Sequence, residues 1–96
     1  MILAIDFDNT LRSLDNGLPM QDAAKHMGYL KKNNHFLIIH SVRNNSNIIR
    51  DWLDLYGIPY DDITNLKPNA DAYIDDKAIR FTTWEDTMKQ LEVLHA

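Results

Sequence analysis

Ile2-Leu3-Ala4-Ile5-Asp6-Phe7-Asp8-Asn9-Thr10 sets a short apolar run directly against an acidic turn. Ile2 to Ile5 has the composition of a buried strand, and the Asp-x-Asp-x-Thr turn that follows puts two carboxylates two residues apart at its end. Two acids ending a buried strand repel each other unless a cation or a shared proton compensates them. One carboxylate could attack phosphorus while the other handles protons, with a metal ion holding both.

Beyond the turn, helix and strand signals alternate. Pro19 suits a first helical position, and Met20, Ala23, Ala24, Met27 and Leu30 follow at helical spacing. The continuous apolar run Phe36 to Ile39 predicts a parallel strand covered on both faces. Ser46 is expected to cap a second helix with an inner stripe of Ile49, Trp52, Leu53 and Tyr56, stopped by Gly57 and Pro59. Short strands are expected around Tyr60 to Ile63 and at Ala72 to Ile74. Thr83 and Asp86 resemble a capping box that opens a last helix, striped by Trp84, Met88, Leu91 and Leu94. This βαβαββα order predicts an α/β, three-layer Rossmann-like fold: an open, mostly parallel sheet with helices on both faces.

Composition narrows the function classes. At 96 residues the chain allows one domain, residues 1–96, with a modest core. It has no cysteine, which removes disulfides, thiol catalysis and cysteine-ligated zinc. No apolar stretch approaches membrane-spanning length and the N-terminus reads as a strand rather than a signal peptide, so a cytoplasmic location is expected and no membrane partner. The net charge is −4; if Asp6, Asp8, Asp75 and Asp76 cluster, the whole excess sits at one spot, as a divalent cation site requires. A basic surface for stable nucleic-acid binding is not implied.

In open parallel sheets, ligands bind outside the carboxyl ends of the strands. Strand one ends in Asp6 and Asp8, strand two in His40-Ser41-Val42-Arg43-Asn44-Asn45, and strand four in Asp75-Asp76, with Lys67 eight residues before Asp75. Parallel neighbours would bring these ends together.

With these residues in this order, the chain resembles the haloacid dehalogenase (HAD) superfamily phosphatases. Asp6-Phe7-Asp8-Asn9-Thr10 is similar to the first motif of that family, Ser41 to the hydroxyl residue ending its second strand, Lys67 to its third-motif lysine, and Tyr73-Ile74-Asp75-Asp76 to its acidic pair. The stretch from Lys67 to Phe81 looks like small capless members of bacterial and phage type. Serine stands where the family more often has threonine, which preserves the hydroxyl. Only eight residues separate Thr10 from Pro19, too few for an inserted lid, so the resemblance implies a minimal capless core.

The resemblance implies a mechanism. Asp6 attacks phosphorus and forms an aspartyl phosphate; Asp8 protonates the leaving oxygen and then activates water. Mg²⁺ is held by Asp6, the Asp8 carbonyl, and Asp76 with help from Asp75, a ligand set that suits a hard cation. Ser41 and Lys67 grip phosphate oxygens, with Arg43 a further substrate-side candidate. The substrate is a phosphorylated small molecule or a nucleic-acid end, with a lean toward nucleotides. Without a lid, loops, a second subunit or the substrate itself must exclude water.

Blander readings compete. Thr10 is expected to fix the loop rather than touch substrate, and His40 to pack or gate. Arg43, Lys77 and Arg80 suit structural ion pairs equally well, and Trp52 and Trp84 read as core. A response-regulator receiver has its acidic pair and phosphoacceptor in the opposite order, and an EF-hand loop counted from Asp6 has Gly17 where its last acid belongs. A non-catalytic phosphate- or metal-binding module on the same fold, and a phosphatase for small sugar phosphates, are the alternatives.

Overall fold

Leu3, Ala4 and Ile5 are buried, and the strand they form can satisfy its backbone only by pairing on both edges. The structure, a computed structural model, describes residues 1–42, 45–75, 83–85 and 88–89. Its elements run β1 (Ile2–Asp6), α1 (Ala23–Lys32), β2 (Phe36–His40), α2 (Ser46–Leu55), β3 (Asp62–Thr64) and β4 (Ala72–Ile74). The four strands form one sheet in the order β3-β2-β1-β4, and every pair is parallel. The fold is therefore α/β with an all-parallel sheet among the described residues.

Register decides what each face carries. Leu3 pairs with Leu37 and Ile5 with Ile39, and in-register parallel partners point to the same side. These four side chains form a core cluster with Phe7, Leu11, Met27, Ile49, Leu53 and Ile58. Met27 comes from α1 and Ile49 and Leu53 from α2, so both helices cover this one face. The opposite face carries Ile2, Phe36 and Tyr73, which are 41%, 46% and 43% exposed. On that face Ala4 is buried and its partner Ile38 half-buried, so within the expected run Leu37 and Ile39 are fully buried and exposure is greatest at Phe36, the first residue of β2. An apolar run marks a strand, but alternate side chains meet different neighbours.

Several boundaries move for local reasons. Pro19 does not open α1; it bridges to Arg12, and the helix starts at Ala23 after a left-handed Asp22. The loop needs the segment before Ala23 as a pairing partner, which overrides the preference of proline for a first helical turn. Ala23, Met27 and Leu30 do face the core, whereas Met20 and Ala24 are exposed. In α2 the cap is Asn45, whose side chain accepts from the Ile48 N–H at 3.2 Å, one residue ahead of the expected Ser46. The stripe of Ile49, Trp52, Leu53 and Tyr56 packs inward as its spacing predicts. Gly57, at φ +66°, turns the chain after α2 in a left-handed conformation that a side chain would strain.

The third strand starts two residues later than expected and runs over Asp62–Thr64. Asp61 is the cause. Its carboxylate accepts from the Leu37 N–H at 2.8 Å and pairs with Lys31 at the end of α1, while its own N–H donates to the Leu37 carbonyl at 2.8 Å. Residue 61 therefore clamps α1 to β2, and ladder pairing begins only at Asp62. Near the C-terminus, residues 84–85 and 88–89 are helical, with Glu85 and Lys89 3.4 Å apart. Trp84, expected in the core, is exposed, as is Met88; the spacing defines a stripe but not a surface to face it. Asp86, Leu91 and Leu94, expected on that helix, lie outside the described residues. No helix among the described residues is long and apolar enough to cross a membrane.

Partial burial of Asp61 disfavours its charge, but the Leu37 N–H and the Lys31 ammonium outweigh that and hold its carboxyl below the ordinary 3.8. A depressed folded-state pKa gives stability that is complete above the unfolded value and is lost as pH falls through the folded one. Asp61→Asn should cost roughly 1–3 kcal/mol in urea unfolding at pH 7. The variant should also lose part of the decline in stability that the parent shows below about pH 4.

Candidate active site

Strand order locates the site before any side chain is considered. The chain steps from β1 to β2 to β3 in one lateral direction and then returns to place β4 on the other side of β1. Ligands bind at the carboxyl ends of strands where the order reverses in this way, here between β1 and β4. Asp6 ends β1, and Asp75 follows Ile74, the last residue of β4.

A cavity of about 240 Å³ opens at this edge, lined by Asp6, Asp8, Asn9, Leu14, His40, Ser41, Val42 and Asp75. Residues from the ends of β1, β2 and β4 thus meet although up to 69 positions separate them. Asp6 and His40 are register partners, and the His40 carbonyl accepts from the Phe7 N–H at 3.2 Å. Ser41 is the one buried polar side chain among the described residues, and its N–H donates to the Thr64 carbonyl at 3.0 Å. That bond ties the end of β2 to the end of β3 and holds the hydroxyl residue in the cavity wall.

The loop after β1 is built by backbone bonds around Asn9. Asn9 adopts φ +60°, its N–H donates to the Arg12 carbonyl at 2.7 Å, and its side chain accepts from the Leu14 N–H at 3.0 Å. Asparagine tolerates the left-handed conformation better than most residues, so the turn chemistry was visible in the sequence as the Asp-Asn dipeptide. Thr10, expected to fix this loop, does not do so by hydrogen bonding: its Oγ1 is buried without a partner among the described residues. Asn9 supplies the fixation instead. The Arg12 guanidinium lies 3.7 Å from the Asp8 carboxylate, so one site acid already has a cation beside it.

The far end of the loop is latched to α2. Trp52 Nε1 donates to the Gly17 carbonyl at 2.9 Å, and the indole packs edge-on against Phe7 at 5.2 Å between ring centroids. Gly17 has φ +71°, and a Cβ there would come within 3.0 Å of the Arg12 guanidinium. Trp52, expected as core, is partly buried and packs against the core cluster; that it also carries the hydrogen bond holding the site loop was not legible, because the acceptor is a main-chain oxygen 35 residues away.

Some expected site residues stand elsewhere or lie outside the described residues. Lys67 is not among the described residues lining the cavity; its Nζ lies 5.0 Å from the centroid of the Tyr73 ring. The Tyr73 hydroxyl donates to the Pro68 carbonyl at 2.6 Å and accepts from the Ala70 N–H at 3.3 Å, which holds the ring under that loop. Arg43, Asp76, Lys77 and Arg80 lie outside the described residues. Asp6, Asp8 and Asp75 share the cavity, but among the described residues no three metal-ligating side chains gather closely enough to hold one ion. No family model, no curated protein and no solved structure matches the chain.

Trp52→Phe keeps an aromatic ring but leaves the Gly17 carbonyl without its donor. Denaturant unfolding should register a loss of roughly 1–3 kcal/mol. Amide exchange at Ser13, Leu14 and Gly17, whose N–H groups are bonded within this loop, should rise more than at Leu53 in the middle of α2.

Proposed function

We propose that the chain is a phosphomonoesterase of HAD type, acting through an aspartyl phosphate at Asp6. The observation that carries this reading is the convergence of Asp6, Asp8, Ser41 and Asp75 on one cavity at the carboxyl edge of a parallel sheet. Three carboxylates around one small cavity repel any phosphate unless a cation intervenes. His40 is the only other titratable group among the described lining residues. Carboxylate oxygens are the donors a hard divalent ion prefers, so their chemistry fits Mg²⁺.

Asp6, the Asp8 main-chain carbonyl, and Asp76 with help from Asp75 are the groups that would hold Mg²⁺, which leaves the Asp8 side chain for proton transfer, and bound there the ion would draw negative charge from the phosphoryl oxygens. The remaining steps belong to the chain itself. An Asp6 carboxylate oxygen forms a bond to phosphorus as the ester P–O bond breaks, and Asp8 gives its proton to the departing oxygen, releasing the alcohol. Asp8 then takes a proton from water, whose oxygen attacks phosphorus; the bond to Asp6 breaks, inorganic phosphate leaves and the carboxylate is regenerated. The Ser41 hydroxyl donates to a phosphoryl oxygen during both steps.

A second reading is favoured by one observation. Lys67, the residue expected to offset transition-state charge, rests against Tyr73 rather than on the cavity wall. A phosphate- or metal-binding module would need no such lysine. Turnover of an aryl phosphate separates the two readings: an enzyme hydrolyses it, and a binder does not.

With p-nitrophenyl phosphate, activity should appear with Mg²⁺, vanish in EDTA and return when Mg²⁺ is restored; full turnover in chelator overturns the metal assignment. Asp6→Asn should abolish turnover while the protein stays folded by circular dichroism. Asp8→Asn should slow alkyl phosphates more than aryl phosphates, by much of the roughly 10²–10⁴-fold that general acid catalysis contributes. Rapid-quench labelling of Asp8→Asn with an aryl phosphate should trap phosphate on Asp6, and no phosphoenzyme at any time would count against the covalent route.

A further inference from the structure

The cavity that holds the acids also has apolar walls. Leu14 and Val42 line it together with Asp6, Asp8 and Asp75, yet they are 54% and 84% exposed. They come from different parts of the chain, Leu14 from the loop after β1 and Val42 from the segment after β2. Single exposed aliphatic residues are ordinary on a protein surface; two on the wall of one polar cavity are an uncovered apolar contact area.

Leu14 is not there through looseness of its loop. Its N–H is bonded to Asn9, the neighbouring Ser13 N–H to the Leu18 carbonyl at 2.8 Å, and the Gly17 N–H to the Ser13 carbonyl at 2.9 Å. Trp52 latches the same loop to α2. The fold therefore spends several hydrogen bonds holding an aliphatic side chain at the mouth of an acid-lined cavity. A pre-ordered apolar wall loses little entropy when a ligand covers it.

Size points the same way. A cavity of about 150 Å³ suffices to enclose a benzene ring. At about 240 Å³, this cavity has room for a phosphoryl group and one ring, with the charged oxygens at the polar lining and the ring against the aliphatic side chains. A polyol or sugar would place hydroxyl groups against Leu14 and Val42, where they find no partner on those side chains.

We propose that Leu14 and Val42 form an apolar subsite for the leaving group, and that the substrate is a phosphomonoester carrying a planar aromatic group close to its phosphoryl group rather than a sugar or polyol phosphate. This rests on the phosphatase reading of the same cavity. Covering aliphatic surface with an aromatic ring is favourable in proportion to the apolar area removed from water, and a half-exposed subsite yields only a fraction of what an enclosed pocket does.

Calorimetric titration in Mg²⁺ with inorganic phosphate, methylphosphonate and phenylphosphonate tests it without turnover. Phenylphosphonate should bind roughly 3- to 10-fold tighter than methylphosphonate. In the Leu14→Ser, Val42→Ser double variant, checked for folding by thermal denaturation, that ratio should fall to about one. If phosphate binds the parent protein but the two phosphonates bind equally, the apolar subsite is wrong and the phosphatase reading stands. A preference that survives in the folded double variant also overturns it, because the ring would then sit elsewhere. If none of the three probes binds the parent protein, the phosphatase reading fails and the subsite fails with it.

Discussion

Parallel pairing on both edges of β1 governs everything else in this chain. A central parallel strand satisfies its backbone only through its neighbours, and each neighbour must run in the same direction. Here β2 pairs along all five residues of β1 and β4 along three. The carboxyl ends of these strands then lie at one edge of the sheet, so Asp6, His40 and Asp75 cannot avoid one another's company. The sharing of one cavity by Asp6, Asp8 and Asp75 is a consequence of the topology.

The same constraint shapes the core. Only one face of β1 and β2 is sealed by the described helices, through Leu3, Ile5, Leu37 and Ile39 against Met27, Ile49 and Leu53. Two anchors then transmit the core to the site. Asp61 joins the end of α1 to the start of β2, which sets the register of β2 and β3. Trp52 joins α2 to the loop after β1, so the helix that packs the core also holds the loop that carries Asp8, Asn9 and Leu14. Packing and main-chain bonds thus hold the site loop, and Arg12 pairs with Asp8 on it.

Among the described residues no lid domain stands over the cavity, so under the proposed phosphatase reading the loops would choose the substrate. The loop after β1 contributes both the acid–base candidate Asp8 and the apolar Leu14, so chemistry and selectivity would come from one short segment. Closing a site excludes water, which strengthens electrostatic interactions inside it. A hydrophobic group on the ligand can supply part of that exclusion where the protein does not.

Much of this was legible in the sequence because it depends on local composition. Apolar runs at Ile2–Ile5 and Phe36–Ile39 marked β1 and β2, helical spacing from Ile49 to Tyr56 marked the inward stripe of α2, and strand-end acids marked the edge where Asp6, Asp8 and Asp75 now meet. What the tertiary structure alone decided involves partners distant along the chain. The start of β3 follows from the Asp61 clamp to Leu37, and the true start of α1 from the Arg12–Pro19 bridge. The position of Lys67 follows from Tyr73, held beneath its loop by main-chain groups, and the inclusion of Leu14 and Val42 in the acid cavity follows from loop geometry. Periodicity and turn chemistry act between neighbours a few residues apart, whereas a main-chain acceptor or a ring from another element carries no signature in the sequence of the residue it captures.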